Sequence, residues 1–140
     1  MVSTLADSQS RELLRSEGVA RLGCITNGEP YVVPINYYYE DNCVYSHSLP
    51  GLKITALRKN PRACVQADKS ESPVRWRSVL AFGNFEEIVT PTERHEVMSR
   101  LLKRFPMLTP VESSIIKDGI PLEVIVYRIR IDRMTGVGEG

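Results

Sequence analysis

The sequence predicts a single domain, mainly β, built as a six-stranded antiparallel barrel with flanking helices. Three observations carry that prediction. Short segments rich in β-branched and aromatic residues recur along all 140 residues, which suits pleated strands. Most are joined by turn signals too brief for anything but hairpins, beginning with Asn27-Gly28, the strongest short hairpin signal. A chain of this length is one domain, and closing its strands into a barrel removes exposed sheet edges.

The elements follow in order. Residues 8–17, SQSRELLRSE, form a short helix capped by Ser8 or Ser10, with Leu13 and Leu14 on its apolar face and Gly18 as its stop. Residues 19–26 are the first strand, and 31–40, YVVPINYYYE, return antiparallel to it. Pro34 removes a ladder donor inside that second strand. It therefore belongs at an edge, at a bulge, or where a ligand takes the room of a neighbouring strand. Tyr37 and Tyr39 share one face and Tyr38 takes the other, so both faces of this strand carry apolar or aromatic groups. One barrel interior cannot absorb both; a helix, a ligand or a second subunit must cover the outside.

Asp41-Asn42 turns the chain into a third strand at 43–48, which Pro50-Gly51 ends. Residues 52–60 are a short helix closed by Pro61. Residues 62–70 are the fourth strand, 71–73 a polar loop, and 74–89 a long fifth strand with Gly83 at a bend or bulge. Thr90 caps the next helix, 91–105, with Pro91 in its first position and Glu93 placed for a capping box. Val97, Met98, Leu101, Leu102 and Phe105 give it an apolar stripe. One or two helical turns are predicted within 106–119. In the last strand, 122–132, Ile125, Tyr127, Ile129 and Ile131 face one way.

Composition narrows the function. The chain is 42% hydrophobic and 25% charged with a formal net charge of +1, so it carries no electrostatic footprint for nucleic acid. No apolar run is long enough to span a bilayer, and no secretory pattern opens the chain. Cys24, Cys43 and Cys64 sit in apolar strand patterns at no metal-ligand spacing, which predicts reduced, buried thiols in a cytoplasmic protein.

Two clusters carry candidate chemistry. In SHSLPGLK, residues 46–53, a strand becomes a helix whose first turn holds Lys53. A lysine there opposes the helix dipole unless an anion sits beside it. Two readings fit: a phosphate cradle formed with Ser46, Ser48 and the helix amides, or a solvated lysine. In RWRSV, residues 75–79, Arg75 and Arg77 share a strand face opposite Trp76 and Ser78. They are either a phosphate clamp or a solvated outer face. His47 can donate to a phosphate, donate a proton or ligate haem iron. His95 is placed on a helix surface.

These residues carry a resemblance. The order GEPYVVPINYYYEDNCVYSHSLPGLKITALRKNPRACVQAD, followed by WRSVLAFGNFEEI, resembles the flavin-binding split-barrel superfamily typified by pyridoxamine 5′-phosphate oxidase. The similarity is nearest the nitroimidazole-resistance-type branch and covers roughly residues 17 to 136. It implies a split β-barrel homodimer with FMN in a cleft between subunits. By the resemblance, Val33, Pro34, Ile35 and Asn36 run beside the isoalloxazine ring and offer it main-chain groups. Ser46 and His47 lie near the ribityl–phosphate end. Lys53, eight residues before Pro61, reaches the phosphate. Arg77, Ser78 and Val79 match the family's Arg-x-Val segment ahead of a glycine, although Ser78 is shorter than the oxidase's flavin-contacting glutamine. The oxidase's C-terminal segment for pyridoxal phosphate has no counterpart, so vitamin B6 oxidation is not expected. The resemblance implies a flavin-dependent oxidoreductase acting on an unspecified small molecule. The alternatives are a haem- or flavin-binding carrier or sensor without turnover, with FAD, deazaflavin or haem in place of FMN.

Overall fold

The computed structural model describes residues 1–105 and 123–140. The elements run β1 (Ser3–Thr4), α1 (Asp7–Ser16), β2 (Val19–Thr26), β3 (Glu29–Asn36), β4 (Tyr38–Glu40), β5 (Cys43–Ser48), α2 (Leu52–Lys59), β6 (Arg62–Ser72), β7 (Arg75–Glu87), α3 (Pro91–Arg104) and β8 (Ile125–Glu139). One antiparallel sheet of eight strands takes the order β3-β2-β6-β7-β8-β5-β4, with β1 added on β8. Consecutive strands β3 and β4 thus lie at opposite ends of that order. The sheet must curl until its two ends meet, and no ladder closes the gap. This is a split barrel.

The sheet has eight strands where six are predicted: β1 in the N-terminal arm adds one, and Tyr37 accounts for the other. Its N–H donates to Gly18 O at 3.0 Å and its hydroxyl to Leu14 O at 2.6 Å, while its ring is fully buried. Fixing Tyr37 inside the barrel breaks the predicted strand 31–40 in two. Residues before it pair with β2, and residues after it cross to pair with β5.

Turn chemistry follows the sequence closely. Asn27, Gly28, Asp41 and Asn42 all have positive φ, as two-residue hairpins require. The predicted loop at 71–73 shrinks to a turn at Pro73-Val74, because β6 runs on to Ser72. At Gly83 the β7–β8 register shifts, leaving Asp132 as the extra residue. A side chain at Gly83 would collide with the Arg130 carbonyl, so only glycine permits this approach.

The last strand continues to Glu139, well past the predicted end at residue 132. Gly136 and Gly138 weaken a strand signal, but here they make room. The missing Cβ at Gly136 is the space taken by Ser10 and Leu5, and that at Gly138 lies 3.3 Å from Leu5 Cδ2. Through these gaps α1 and the N-terminal arm settle on β8. Ser10 is therefore 2% exposed and is no helix cap. The cap position falls to Ala6, whose N–H donates to Gln9 Oε1 at 2.9 Å. Gly18 does not stop α1 by a left-handed turn either. The helix ends in extended Glu17, and Gly18 instead admits the ring of Phe105.

Two hydrophobic cores result. The barrel interior holds Leu14, Leu22, Tyr37, Tyr39, Val44, Leu57, Val65, Val79, Ala81, Tyr127 and Ile129. The second core lies between α3 and the outer face of the β4–β5–β8 region, with Tyr38, Ile88, Val97, Met98, Leu101 and Val126. Tyr38 stacks on Tyr45 with ring centroids 4.9 Å apart. Glu93 forgoes the predicted capping box and bonds Arg128 Nη1 at 3.1 Å, tying α3 to β8. The helical turns predicted within 106–119 lie outside the described residues.

Arg104 joins these units. Its guanidinium donates to the last carbonyls of α1, at 3.2 Å to Arg15, 3.4 Å to Ser16 and 2.6 Å to Glu17, and it lies over the Tyr37 ring. A cation at a helix C-terminus also favours the dipole. Charged hydrogen bonds of this kind are worth about 1.5–3 kcal/mol. Urea denaturation of Arg104→Ala should show a loss of about 2 kcal/mol by that reckoning, with the slope unchanged. Arg104→Lys should recover only part of it, since an ammonium lacks the planar guanidinium that lies over the Tyr37 ring.

Candidate functional site

The split between β3 and β5 brings the β3 candidates opposite Ser46. In β3 the pairs Ile25–Pro30 and Arg21–Pro34 must be non-hydrogen-bonded, because proline has no donor. Residues 30, 32, 34 and 36 therefore turn their main-chain groups away from β2, towards the split. Two outward donors are missing by virtue of the prolines; Val32 and Asn36 retain theirs. Such an edge resists pairing with another strand but can offer separate donors and acceptors to a compact ligand.

Across the split, Ser46 is 1% exposed, and its hydroxyl donates to Asn36 O at 2.6 Å. In this arrangement the only Ser46 donor is committed to the main chain and buried. His47 is half-buried opposite Val126. Leu49 and Leu52, on either side of Pro50-Gly51, are exposed.

Lys53 is half-buried in the first turn of α2. Among the described residues no carboxylate pairs with it. Burial lowers its pKa from the ordinary lysine value, and the neighbouring Cys24 opposes that shift. The Cys24 thiol is in turn pushed up, by burial and by Cys64, with Lys53 acting against both. A half-buried ammonium, set against a helix dipole and lacking a counter-ion, is poised for an anion.

The remaining candidates separate. Val33 and Ile35 point into the barrel core, as does Val79 at 0% exposure, so only their main chains are available to a ligand. Pro34 and Asn36 are exposed. Ser78 faces outward and accepts a hydrogen bond from Gln66 Nε2 at 3.0 Å. Arg77 lies opposite Lys69 in a polar crevice beneath α1. It is five residues along β7 from Phe82, the partner of Cys64, which puts it about 16 Å from the Lys53 end of the barrel along the strand. Lys53 and Arg77 do not converge within one chain. All three consecutive tyrosines are buried, so none is a free stacking platform.

Sequence reasoning did not single out Gln66 or Cys24. Gln66 was hidden because its partnership with Ser78 depends on the β6–β7 register. Cys24 was hidden because a lone thiol in an apolar strand reads as core.

The outer face of β2, β3, β6, β7 and β8 forms a continuous surface. Ile25, Val32 and Val137 are exposed there, and a shallow groove is lined by Gly23, Pro30, Cys64 and Phe82. Gly23 has no room for a side chain beside Cys64 Sγ. Cys64 is half-buried rather than buried as predicted, because β6 turns it to this outer face. The ion pairs Arg21–Asp68 and Arg62–Asp132 flank the apolar centre, and Arg133 lies 3.9 Å from the Phe82 ring centroid. An apolar centre with a polar rim is interface anatomy. Among the described residues no helix is long and apolar enough to cross a membrane.

Known proteins resemble this chain in sequence and fold. The family model described as pyridoxamine 5′-phosphate oxidase matches residues 6–137. An uncharacterised protein of Rhizobium meliloti (strain 1021) is 30% identical over 144 residues, covering 96% of this chain and 93% of its own. The crystal structure of an FAD-binding protein from Mesorhizobium loti is 31% identical with a TM-score of 0.83, covering 100% of this chain and 99% of that one. A Bacteroides thetaiotaomicron structure assigned to 5-nitroimidazole antibiotic resistance has a TM-score of 0.81 over 99% of this chain and 87% of that one. At 22% identity it shares the fold alone.

The burial of Lys53 makes a prediction about the ligand-free protein. Its folded pKa lies below its unfolded one, so the folded state binds protons less readily. The resulting penalty is complete below the folded pKa and fades as pH rises towards the unfolded value. At neutral pH, Lys53→Met should therefore melt higher than wild type without ligand, and the gap should narrow in alkaline buffer. A variant that melts lower at every pH would show that the lysine head is solvated.

Proposed function

The chain belongs to the pyridoxamine 5′-phosphate oxidase family, and on that premise we propose that it binds a flavin nucleotide and acts as a flavin-dependent oxidoreductase on a small molecule. The observation that carries this reading is Lys53: half-buried, at a helix N-terminus, with no carboxylate partner among the described residues. A flavin phosphate would neutralise it. The β3 edge supports the ring, with the Val32 N–H and the outward carbonyls of Val32 and Pro34 available to polar atoms of a planar heterocycle. The flavin, when bound, supplies the electron-transfer chemistry. The chain's own residues hold the phosphate, orient the ring and shield one side of it with the barrel wall.

Lys53 meets the phosphate that FMN and FAD have in common. FMN needs only that contact and the ring edge. FAD is the second reading, favoured by the Mesorhizobium loti FAD-binding protein at 31% identity. Three unpaired thiols suit a reducing compartment such as the cytoplasm.

The proposed assembly is a homodimer formed through the outer sheet face. That face has the apolar centre and charged rim of an interface, and a second copy would shield Val32, Val137 and the Phe82 groove together. A twofold arrangement also gives outward-facing Ser78 of one subunit a route to the flavin held by Lys53 of the other.

Two measurements test these proposals. Titrating FMN and FAD separately, with flavin fluorescence as the readout, should give a dissociation constant for one of them that weakens in Lys53→Ala. The lost charge-assisted hydrogen bond corresponds to about 1.5–3 kcal/mol. Equal constants in the two proteins would remove Lys53 from the site, and a Soret band on adding haemin with no flavin uptake would replace the cofactor. Light scattering should give twice the 15.8 kDa chain mass, and Phe82→Glu should yield monomers. A monomeric wild type that binds flavin stoichiometrically would overturn the shared-site arrangement.

A further inference from the structure

We propose that Ser46 is a positioning residue: by holding the Asn36 carbonyl across the barrel split, it sets the main-chain edge of β3 at the geometry the ligand reads. This rests on the flavin-site reading above and replaces a direct Ser46–phosphate contact with an indirect role.

Topology makes the tie necessary. At Asn36 the chain is about to leave β2, since Tyr37 N–H turns back to Gly18 O and Tyr38 pairs with Tyr45 on β5. The Asn36 carbonyl points away from β2, into the gap where the sheet ladder is open. Without a donor it would be an acceptor stranded at the mouth of the barrel. Ser46 is the β5 residue placed to satisfy it, at 2.6 Å. Because Ser46 is 1% exposed, water does not readily substitute for it. The tie therefore fixes the end of β3, and the outward groups of Pro34 and Val32 lie two and four residues upstream on the same edge.

A neighbouring hydroxyl supplies the control. Tyr127 lies directly opposite Ser46 in the β5–β8 register and is fully buried. Its hydroxyl has no hydrogen bond of closed geometry, although it lies near enough to Ser46 for that side chain to oppose the upward pull of burial on its pKa, which reaches about 12. Removing the Tyr127 hydroxyl perturbs the same interior and takes away a neighbour of the Ser46 side chain, but leaves both the Ser46 donor and the Asn36 acceptor in place. An unsatisfied buried hydroxyl is also costly to keep, so Tyr127→Phe should not destabilise the protein.

The experiment compares wild type, Ser46→Ala and Tyr127→Phe. Three quantities are read on each: melting temperature, amide hydrogen exchange along residues 29–36, and the affinity and visible spectrum of bound flavin. The tie predicts faster exchange confined to β3 in Ser46→Ala, about fivefold weaker flavin binding, and a shifted visible band. Tyr127→Phe should match wild type in exchange, affinity and spectrum. If Ser46→Ala lowers only the melting temperature, with flavin affinity and band unchanged, the serine is merely structural and the proposal is overturned. Equal loss of affinity in both variants would overturn it too, by making interior packing the cause. A wild type that binds no flavin, while Ser46→Ala still loosens β3, would instead overturn the flavin reading and leave the tie as a structural fact.

Discussion

The crossing at Tyr37 is the constraint on which the architecture depends. One residue ends pairing with β2, spans the barrel and begins pairing with β5. It can do so because each polar group has a destination: the N–H goes to Gly18 O and the hydroxyl to Leu14 O. The ring is fully buried, so the cost of abandoning the ladder is offset inside the core. If the chain had continued straight along β2, β4 would be absent and β5 would end the sheet unprotected. Instead the two ends of the sheet face each other across a gap, and that gap is the candidate site.

Both helices beside the gap are held by groups that serve more than one element. Arg104 of α3 caps α1 and lies over Tyr37, so the crossing, the first helix and the outer core share one anchor. On β8, Arg128 joins Glu86 of β7 and Glu93 of α3. Two guanidinium neighbours, Arg130 and then Arg128, hold the Glu86 carboxyl below its usual range. The barrel wall is thus rigid where it must support a site, and its polar groups are largely satisfied at home.

Lys53 is the exception, and its energetics explain why. Burying a cation without a counter-ion costs stability, and placing it in the first turn of a helix adds an unfavourable dipole term. A chain selected for stability alone would put a carboxylate or an apolar residue there. The β3 edge makes a parallel sacrifice, since Pro30 and Pro34 forgo donors that a paired strand would use. Both are departures from local consistency of the kind that functional sites carry.

Much of this molecule could be read from its sequence. Asn27-Gly28 and Asp41-Asn42 specify hairpins because their positive φ values are local properties of those residues. Pro34 announced an edge because a missing donor cannot be hidden in a central ladder, and Lys53 stood out because its conflict with the helix dipole is visible in one turn. The resemblance supplied the family and the list of candidate residues. Tertiary structure decided what those residues do. Ser46 ties Asn36 because the two meet only when the sheet curls. Arg77 parted from Lys53 because strand register, not sequence spacing, sets distance along a barrel. The glycines at 136 and 138, beyond the predicted end of the last strand, lie within it and leave the room that α1 and the N-terminal arm take. Local conformational preferences and polar conflicts are written residue by residue, whereas which groups meet across a closing sheet depends on register and curvature, which no single segment contains.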